Sequence, residues 1–227
     1  MPVGCCIKKN IPRPDKGLIE RFRSLCVANI DDTEGRDFAM NHRIRLMNKS
    51  KKLVGPAFTV KVPEGDNVML NKAMDLAHPG DVLVVDAGGY PGRAIFGEII
   101  VTYCRKRGIA GIVCDGGIRD SDGIGILEDF PVYAIGVCPN GPYHNGPGEI
   151  GFPVSCGGIV VRPGDIIVAD SDGVIALDPM QAEAIAAATE AVNTKEDRLM
   201  AGIREEGVYP RPWVDACLSE LKCEYVD

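Results

Sequence analysis

Residues 79–120 read PGDVLVVDAGGYPGRAIFGEIIVTYCRKRGIAGIVCDGGIRD, and the order of patterns in this stretch decides the fold class. The apolar runs at 82–85 and 109–114 are continuous, which is typical of strands buried on both faces. A glycine-rich loop is predicted at 87–92 and a helix at 93–107. Strand, loop, helix and strand in this order predict a mixed α/β protein.

N-terminal to this stretch, apolar spacing predicts helices at 15–26 and 67–77, and a strand at 53–62. The sequence Asn-Ile-Asp-Asp at 29–32 indicates a turn or a helix cap. These elements extend the α/β pattern toward the amino terminus.

C-terminal to it, a short helix is predicted after Asp120 or Ser121, either of which suits an N-cap. Residues 132–176 are rich in strands and turns, and Asp172-Gly173 is a strong hairpin signal. A helix is predicted to open at Pro179. The tail is expected to be helical, with a break near 207–212.

One phrase occurs twice, as PGDVLVVD at 79–86 and PGDIIVAD at 163–170. In each copy a Pro-Gly turn leads into an apolar run that ends at an aspartate. An internal duplication and a recurring turn-strand unit both explain the echo.

Bulk properties narrow the class of protein. The chain has 227 residues and a formal net charge of −7, whereas nucleic-acid binders usually carry a basic face. No apolar run reaches the roughly 18–20 residues that span a bilayer, and the amino terminus lacks a secretory apolar stretch. The nine cysteines include no CxxC pair, which favours a reduced compartment over a disulfide framework. Together these properties lead us to expect a cytoplasmic protein without membrane or nucleic-acid partners.

Two consecutive predicted strands end in polar loops, and open α/β sheets bind ligands at the carboxyl ends of their strands. A helix start after the first loop favours an anion, and Arg119-Asp120 follows the second strand. A carboxylate suits Mg²⁺, and an arginine beside it can bind a carboxylate or an enolate oxygen. A structural turn for the glycine loop and a surface ion pair for Arg119-Asp120 remain alternatives. Among the histidines, His144 is a candidate for a position near the site.

Further residues carry a resemblance to a known family. Gly97-Glu98-Ile99-Ile100, then Arg119-Asp120, then the phrases at 157–165 and 170–174 are similar in order to the RraA-like proteins, over residues 28–202. The resemblance implies an α/β sandwich of the swivelling-domain type. It would form one domain, 1–227, with a core at about 28–178 and a helical C-terminal extension at 179–227.

The RraA-like family includes 4-hydroxy-4-methyl-2-oxoglutarate aldolases, also called 4-carboxy-4-hydroxy-2-oxoadipate aldolases. The resemblance implies a metal-dependent lyase that releases pyruvate from 4-hydroxy-2-oxo acids and decarboxylates oxaloacetate through the same enolate. Backbone amides of Gly97, Glu98, Ile99 and Ile100 would bind the substrate carboxylate, Arg119 would contact the 2-oxo or enolate oxygen, and Asp120 would be the protein ligand of Mg²⁺, Mn²⁺ or another divalent metal.

The resemblance also implies a homotrimer or homohexamer, in which a neighbouring subunit supplies a catalytic glutamate. Glu196 is the best match, and a solvated helical face explains it equally well. The family often has an acidic residue where this chain has Gly123, with Asp122 one place earlier. Two rivals stay open: a non-catalytic protein that binds and inhibits a ribonuclease, and an enzyme of this fold for a different hydroxy acid.

Overall fold

A computed structural model describes residues 4–226, which contain a ten-stranded mixed sheet, a separate two-stranded sheet and seven α-helices. The strands are β1 (Cys5–Ile7), β2 (Arg45–Leu46), β3 (Leu53–Lys61), β4 (Val82–Phe96), β5 (Gly111–Ile118), β6 (Val132–Ala134), β7 (Gly136–Val137), β8 (Gly148–Ile150), β9 (Val154–Cys156), β10 (Ile159–Val161), β11 (Ile166–Ala169) and β12 (Val174–Leu177). The helices are α1 (Lys16–Arg21), α2 (Val27–Thr33), α3 (Val68–Leu76), α4 (Glu98–Lys106), α5 (Ser121–Gly125), α6 (Ala182–Glu206) and α7 (Pro212–Glu220), and a 3₁₀ turn, Phe22–Ser24, follows α1.

The main sheet has the order β1-β8-β3-β4-β5-β6-β2, with β11 beside β3 and β7 beside β5, and β9 and β10 form the separate two-stranded sheet. Strands β3, β4, β5 and β6 run parallel, so the carboxyl ends of β4 and β5 meet at one edge. The first half of β4 and most of β5 are buried on both faces, which confirms the interpretation of their apolar runs. Helix α4 packs Val101 and Cys104 into the core beneath this edge.

The predicted loop at 87–92 and the predicted helix start at residue 93 are wrong. Strand β4 continues to Phe96, and Ala94 and Phe96 pair with Gly117 and Ile118 of β5. Register shifts on either side of Tyr90 absorb the extra residues as bulges. The helix therefore begins only at Glu98, where the strand pairing has ended.

Two other boundaries also differ from prediction. Residues 29–32 lie inside α2, because Ile30 is fully buried and holds this segment against the core. Pro179 lies in a turn, and α6 begins three residues later at Ala182. The helices predicted at 15–26 and 67–77 and the Asp172-Gly173 hairpin are confirmed, the first as α1 with its 3₁₀ turn.

The repeated Pro-Gly-Asp phrase forms the same turn in both places. Gly80 and Gly164 each have φ 90°, a conformation that favours glycine. The Asp81 carboxylate accepts a hydrogen bond from His78 N at 2.8 Å, and Asp165 accepts one from Arg162 N at 2.7 Å. The two turns lead into strands of opposite direction relative to β3, which favours a recurring turn-strand unit over a duplication.

The chain divides into two units, one ending at Thr189 and the other beginning at Glu190. The first unit contains the sheet and its cores. The second contains the C-terminal part of α6 and α7, and α7 has no buried residue. Of the helices in the described part of the chain, none has both the length and the apolar character needed to cross a membrane.

Candidate functional site

Strand pairing brings Arg119-Asp120 to the start of α4. Phe96 and Ile118 are partners at the ends of β4 and β5, and Arg119 N donates a hydrogen bond to Phe96 O at 3.0 Å. Gly97, which follows β4, and Asp120, two residues beyond the end of β5, are therefore direct neighbours. The polar loop predicted after the first strand is absent, and the start of α4 itself meets Arg119-Asp120 at the carboxyl edge of the sheet.

Asp120 has a left-handed backbone, with φ 61° and ψ 41°, which is uncommon outside glycine and better tolerated by Asp and Asn. This conformation turns its carboxylate back toward α4. Oδ2 accepts a hydrogen bond from Glu98 N at 3.0 Å and lies 3.6 Å from Arg119 Nε. Asp120 stands at the N-cap position of α5 but makes no capping bond there, and it binds the first turn of α4 instead.

The first turn of α4 keeps open amides. Its first i to i−4 bond runs from Val101 N to Gly97 O, so the amides of Ile99 and Ile100 precede the helical ladder. The Glu98 amide already binds Asp120. Of the four residues predicted to bind the substrate carboxylate, Ile99 and Ile100 thus offer donors in the first turn of the helix, at the positive end of its dipole.

The Glu98 side chain occupies the space beside Gly123. A Cβ added to Gly123 would lie 2.5 Å from Glu98 Oε2. The acidic residue that the resemblance led us to expect at position 123 is absent, and the Glu98 carboxylate fills the space that a side chain there would take. Asp122 lines the same cleft as Glu98.

Two clefts meet at Arg119 and Asp120, whose side chains are 42% and 40% exposed. The smaller, of about 280 Å³, is lined by Asn67, Asn71, Phe96, Gly97, Ile99, Ile100, Arg119, Asp120, Gly141, Pro142 and His144. The larger, of about 540 Å³, is lined by Glu98, Arg119, Asp120, Ser121, Asp122, Gly123, Val137, Cys138 and Pro139. The predicted site residues of the first unit therefore all line one or both of these adjoining clefts.

Sequence reasoning missed the asparagines of the smaller cleft. Asn67 is 3% exposed, and its Nδ2 donates to Ile95 O at 3.0 Å. Asn71 Nδ2 donates to Asn67 O at 2.9 Å. The available signal was weak: an asparagine at the start of a predicted helix usually indicates only a cap.

One carboxylate oxygen in the clefts, Asp120 Oδ1, could hold a hard divalent cation. Within residues 4–226, Asp120 Oδ1 accepts no hydrogen bond, and no group of three or more His, Cys, Asp or Glu side chains is arranged to hold a metal. A single carboxylate with water and a chelating substrate suits Mg²⁺, which usually keeps several waters and takes few protein ligands. Asp120 could hold such an ion through Oδ1, and its role as the metal ligand stays a prediction.

Glu196 lies on an exposed part of α6, in the unit that begins at Glu190. The residues that line the two clefts all belong to the unit that ends at Thr189. The catalytic role of Glu196 stays a prediction.

The fold and the clefts define an α/β protein with a polar site at the carboxyl ends of two adjacent parallel strands. The family model described as Aldolase/RraA matches residues 24–176, so the chain belongs to the RraA-like family. A Halalkalibacterium halodurans protein, provisionally named a 4-hydroxy-4-methyl-2-oxoglutarate aldolase, is 40% identical over 73% of this chain and 79% of its own length. An Arabidopsis thaliana protein with the same provisional name is 34% identical over 66% of this chain and 90% of its own length.

Among solved structures, RraAS2 of Streptomyces coelicolor, described as an unusual member of the RNase ES inhibitor RraA family, has a TM-score of 0.73 and 28% identity. The match covers 83% of this chain and 98% of that one. The α/β fold class and the resemblance are thereby confirmed.

Proposed function

We propose that the protein is a divalent-metal-dependent lyase that cleaves 4-hydroxy-2-oxo acids to pyruvate and a second oxo compound. Oxaloacetate decarboxylation would proceed through the same enolate. The observation that carries this proposal is the meeting of Arg119, the free Oδ1 of Asp120 and the open amides of Ile99 and Ile100 in one cleft. The provisional aldolase names of the relatives support the same reaction class.

The open amides suit the substrate's carboxylate. Ile99 and Ile100 would donate hydrogen bonds to it at the positive end of α4. The Arg119 guanidinium, half-exposed beside them, would bind the 2-oxo oxygen. Cleavage between C3 and C4 places negative charge on that oxygen, so a positive charge already positioned there stabilises the transition state more than the substrate.

Asp120 would hold Mg²⁺, Mn²⁺ or another divalent ion through Oδ1, because the Glu98 amide engages Oδ2 and keeps the carboxylate in place. Such an ion, when bound, acts as a Lewis acid that polarises the 2-oxo group. Glu98 and Asp122 add negative charge to the adjoining cleft, which favours a cation and can orient water around it.

Pyruvate release tests the proposal. Purified protein would be incubated with oxaloacetate and with a panel of 4-hydroxy-2-oxo acids, with Mg²⁺ or Mn²⁺ and then with EDTA. We expect pyruvate to form with the metal, to stop with EDTA and to resume when metal is restored. Asp120→Ala should abolish turnover in a folded protein, and absence of pyruvate from every substrate would overturn the lyase proposal.

The alternative, a protein that binds and inhibits a ribonuclease, is supported by the description of the Streptomyces structure. An inhibitor would reduce ribonuclease cleavage of an RNA substrate without added metal, and Asp120→Ala would leave that effect intact.

We also propose a homotrimer or homohexamer in the cytoplasm, in line with the family. The molar mass in solution from light scattering tests the assembly.

A further inference from the structure

The loop that carries His144 is fixed from two directions. Tyr143 N donates to Gly65 O at 2.7 Å, and Asn67 N donates to Tyr143 O at 3.1 Å. Beyond the histidine, Asn145 N and Gly146 N donate to Oδ2 of the buried Asp66 at 2.6 and 3.0 Å. The backbone around His144 is therefore held in place before any ligand binds.

The hydrogen-bond network determines which ring nitrogen of His144 carries the proton. Asn67 Nδ2 lies 3.0 Å from Ile95 O, and a carbonyl oxygen can only accept, so the Asn67 amide orientation is defined. Its Oδ1 then faces His144 Nδ1 at 2.7 Å. Because Oδ1 can only accept, Nδ1 carries the hydrogen, and the neutral ring has its lone pair on Nε2.

Nε2 lies on the ring edge away from Nδ1, so it is turned away from Asn67. His144 is exposed and lines the smaller cleft together with Arg119, Asp120 and the first turn of α4. An exposed ring with a defined tautomer, beside the groups that would bind a 2-oxo acid, is arranged to accept a proton.

We propose that His144 is the catalytic base of the cleavage reaction and that Asn67 is its positioning residue, an inference that rests on the proposed function. His144 Nε2 takes the proton of the 4-hydroxyl group as the C3–C4 bond breaks. The 4-carbon becomes a carbonyl, and the electron pair of the broken bond forms the C2–C3 double bond of the enolate. The proton on Nε2 then passes to C3, which yields pyruvate and returns the neutral ring.

Oxaloacetate distinguishes the proposed base role of His144 from the stabilisation of the enolate by the rest of the site. It has no 4-hydroxyl group, and its C3–C4 bond breaks as carbon dioxide leaves, so its decarboxylation needs the same enolate stabilisation but no base. The experiment measures kcat for oxaloacetate and for 4-hydroxy-4-methyl-2-oxoglutarate in the wild type and in His144→Gln. His78→Gln is the matched control, because His78 is exposed and lies in the turn before β4.

We expect His144→Gln to lower cleavage by ~10²–10⁴-fold, the usual contribution of a general base, and to leave decarboxylation within ~3-fold. Asn67→Ala should lower kcat for cleavage with little change in KM. The double variant should be no slower than His144→Gln alone, because both changes disable one unit, whereas a merely structural role for Asn67 would give additive losses.

Equal losses in both reactions, or unchanged cleavage in His144→Gln, would overturn the role of His144 and leave the lyase proposal standing. A wild type that decarboxylates oxaloacetate but cleaves no hydroxy acid would also overturn it. A wild type without either activity would refute both proposals.

Discussion

Gly97 and Asp120 are packed so closely that no side chain fits on Gly97. A Cβ at this position would lie 2.1 Å from Asp120 Oδ2, far inside van der Waals contact. The Gly97 backbone has φ −145°, which any residue adopts, so the requirement for glycine is steric. The start of α4 is shaped around the Asp120 carboxylate.

Gly97→Ala should therefore displace Asp120. Because the Asp120 side chain is half-exposed and can move, we expect a loss of only ~1 kcal/mol in the free energy of unfolding. Pyruvate formation should fall ~100-fold, since a displacement of about 1 Å is costly in catalysis. Urea unfolding and steady-state assays measure the two effects. Gly125→Ala is the control, because a Cβ added there would have Met47 O, 3.8 Å away, as its nearest neighbour.

Asp120→Asn and Asp120→Ala should separate charge from backbone conformation. Asn tolerates the left-handed region and keeps an acceptor for Glu98 N, so its unfolding free energy should stay within ~0.5 kcal/mol of the wild type. Ala lacks the acceptor and tolerates the left-handed backbone less well, so its unfolding free energy should fall by ~1–2 kcal/mol. Both should lose pyruvate formation by at least ~100-fold. Full activity in Asp120→Asn would show that the carboxylate charge is not needed.

Gly123→Ala should push the Glu98 carboxylate aside, because the new Cβ would meet it at 2.5 Å. The side-chain end is flexible, so stability should change by less than ~0.5 kcal/mol. If Glu98 supports metal binding, the Mg²⁺ concentration for half-maximal activity should rise ~10–100-fold in Gly123→Ala and in Glu98→Gln. An unchanged Mg²⁺ requirement in both variants would show that Glu98 does not support metal binding.

Buried and exposed cysteines should differ in reactivity. Burial raises the pKa of the Cys104 thiol to about 12 and raises the pKa values of Cys114 and Cys156 as well. At pH 8 these thiols stay protonated, and the thiolate is the nucleophile. Iodoacetamide should label the exposed Cys26 and Cys217 in the native protein and the buried three only in urea, as peptide mass spectrometry would show.

Asp165 should make stability depend on pH. Burial raises its pKa above the ordinary carboxyl value, despite the hydrogen bond from Arg162 N. The folded state then binds its proton more tightly than the unfolded state. Its contribution to stability is present below the unfolded pKa, near ~4, and is lost as pH rises through the raised folded value.

Asp165→Asn removes this titration and keeps an acceptor oxygen for Arg162 N. The wild type should therefore lose stability relative to the variant as pH rises through this window, measured as urea unfolding free energies at several pH values. A constant difference between the two proteins would contradict the buried titration.

Local patterns predicted the strands and helices whose signal is short-range. The strand β5 and the helix α3 are examples, because a continuous apolar run and helical apolar spacing can each be recognised within a few neighbouring residues. The boundary between β4 and α4 was missed, since the glycine- and proline-rich segment resembles a loop until Gly117 and Ile118 pair with it. Such pairing depends on residues more than twenty positions away.

The sequence by itself determined the α/β class, the family and the presence of Arg119 and Asp120 after a buried strand. Only the tertiary structure decided that the Asp120 carboxylate turns to Glu98 N, 22 residues earlier, and that Asn67 meets His144, 77 residues later. Neither contact has a local signal, because a hydrogen bond between distant segments forms only when the sheet and its loops bring them together. The fold class is thus readable from short-range patterns, whereas the geometry of the site comes from long-range packing.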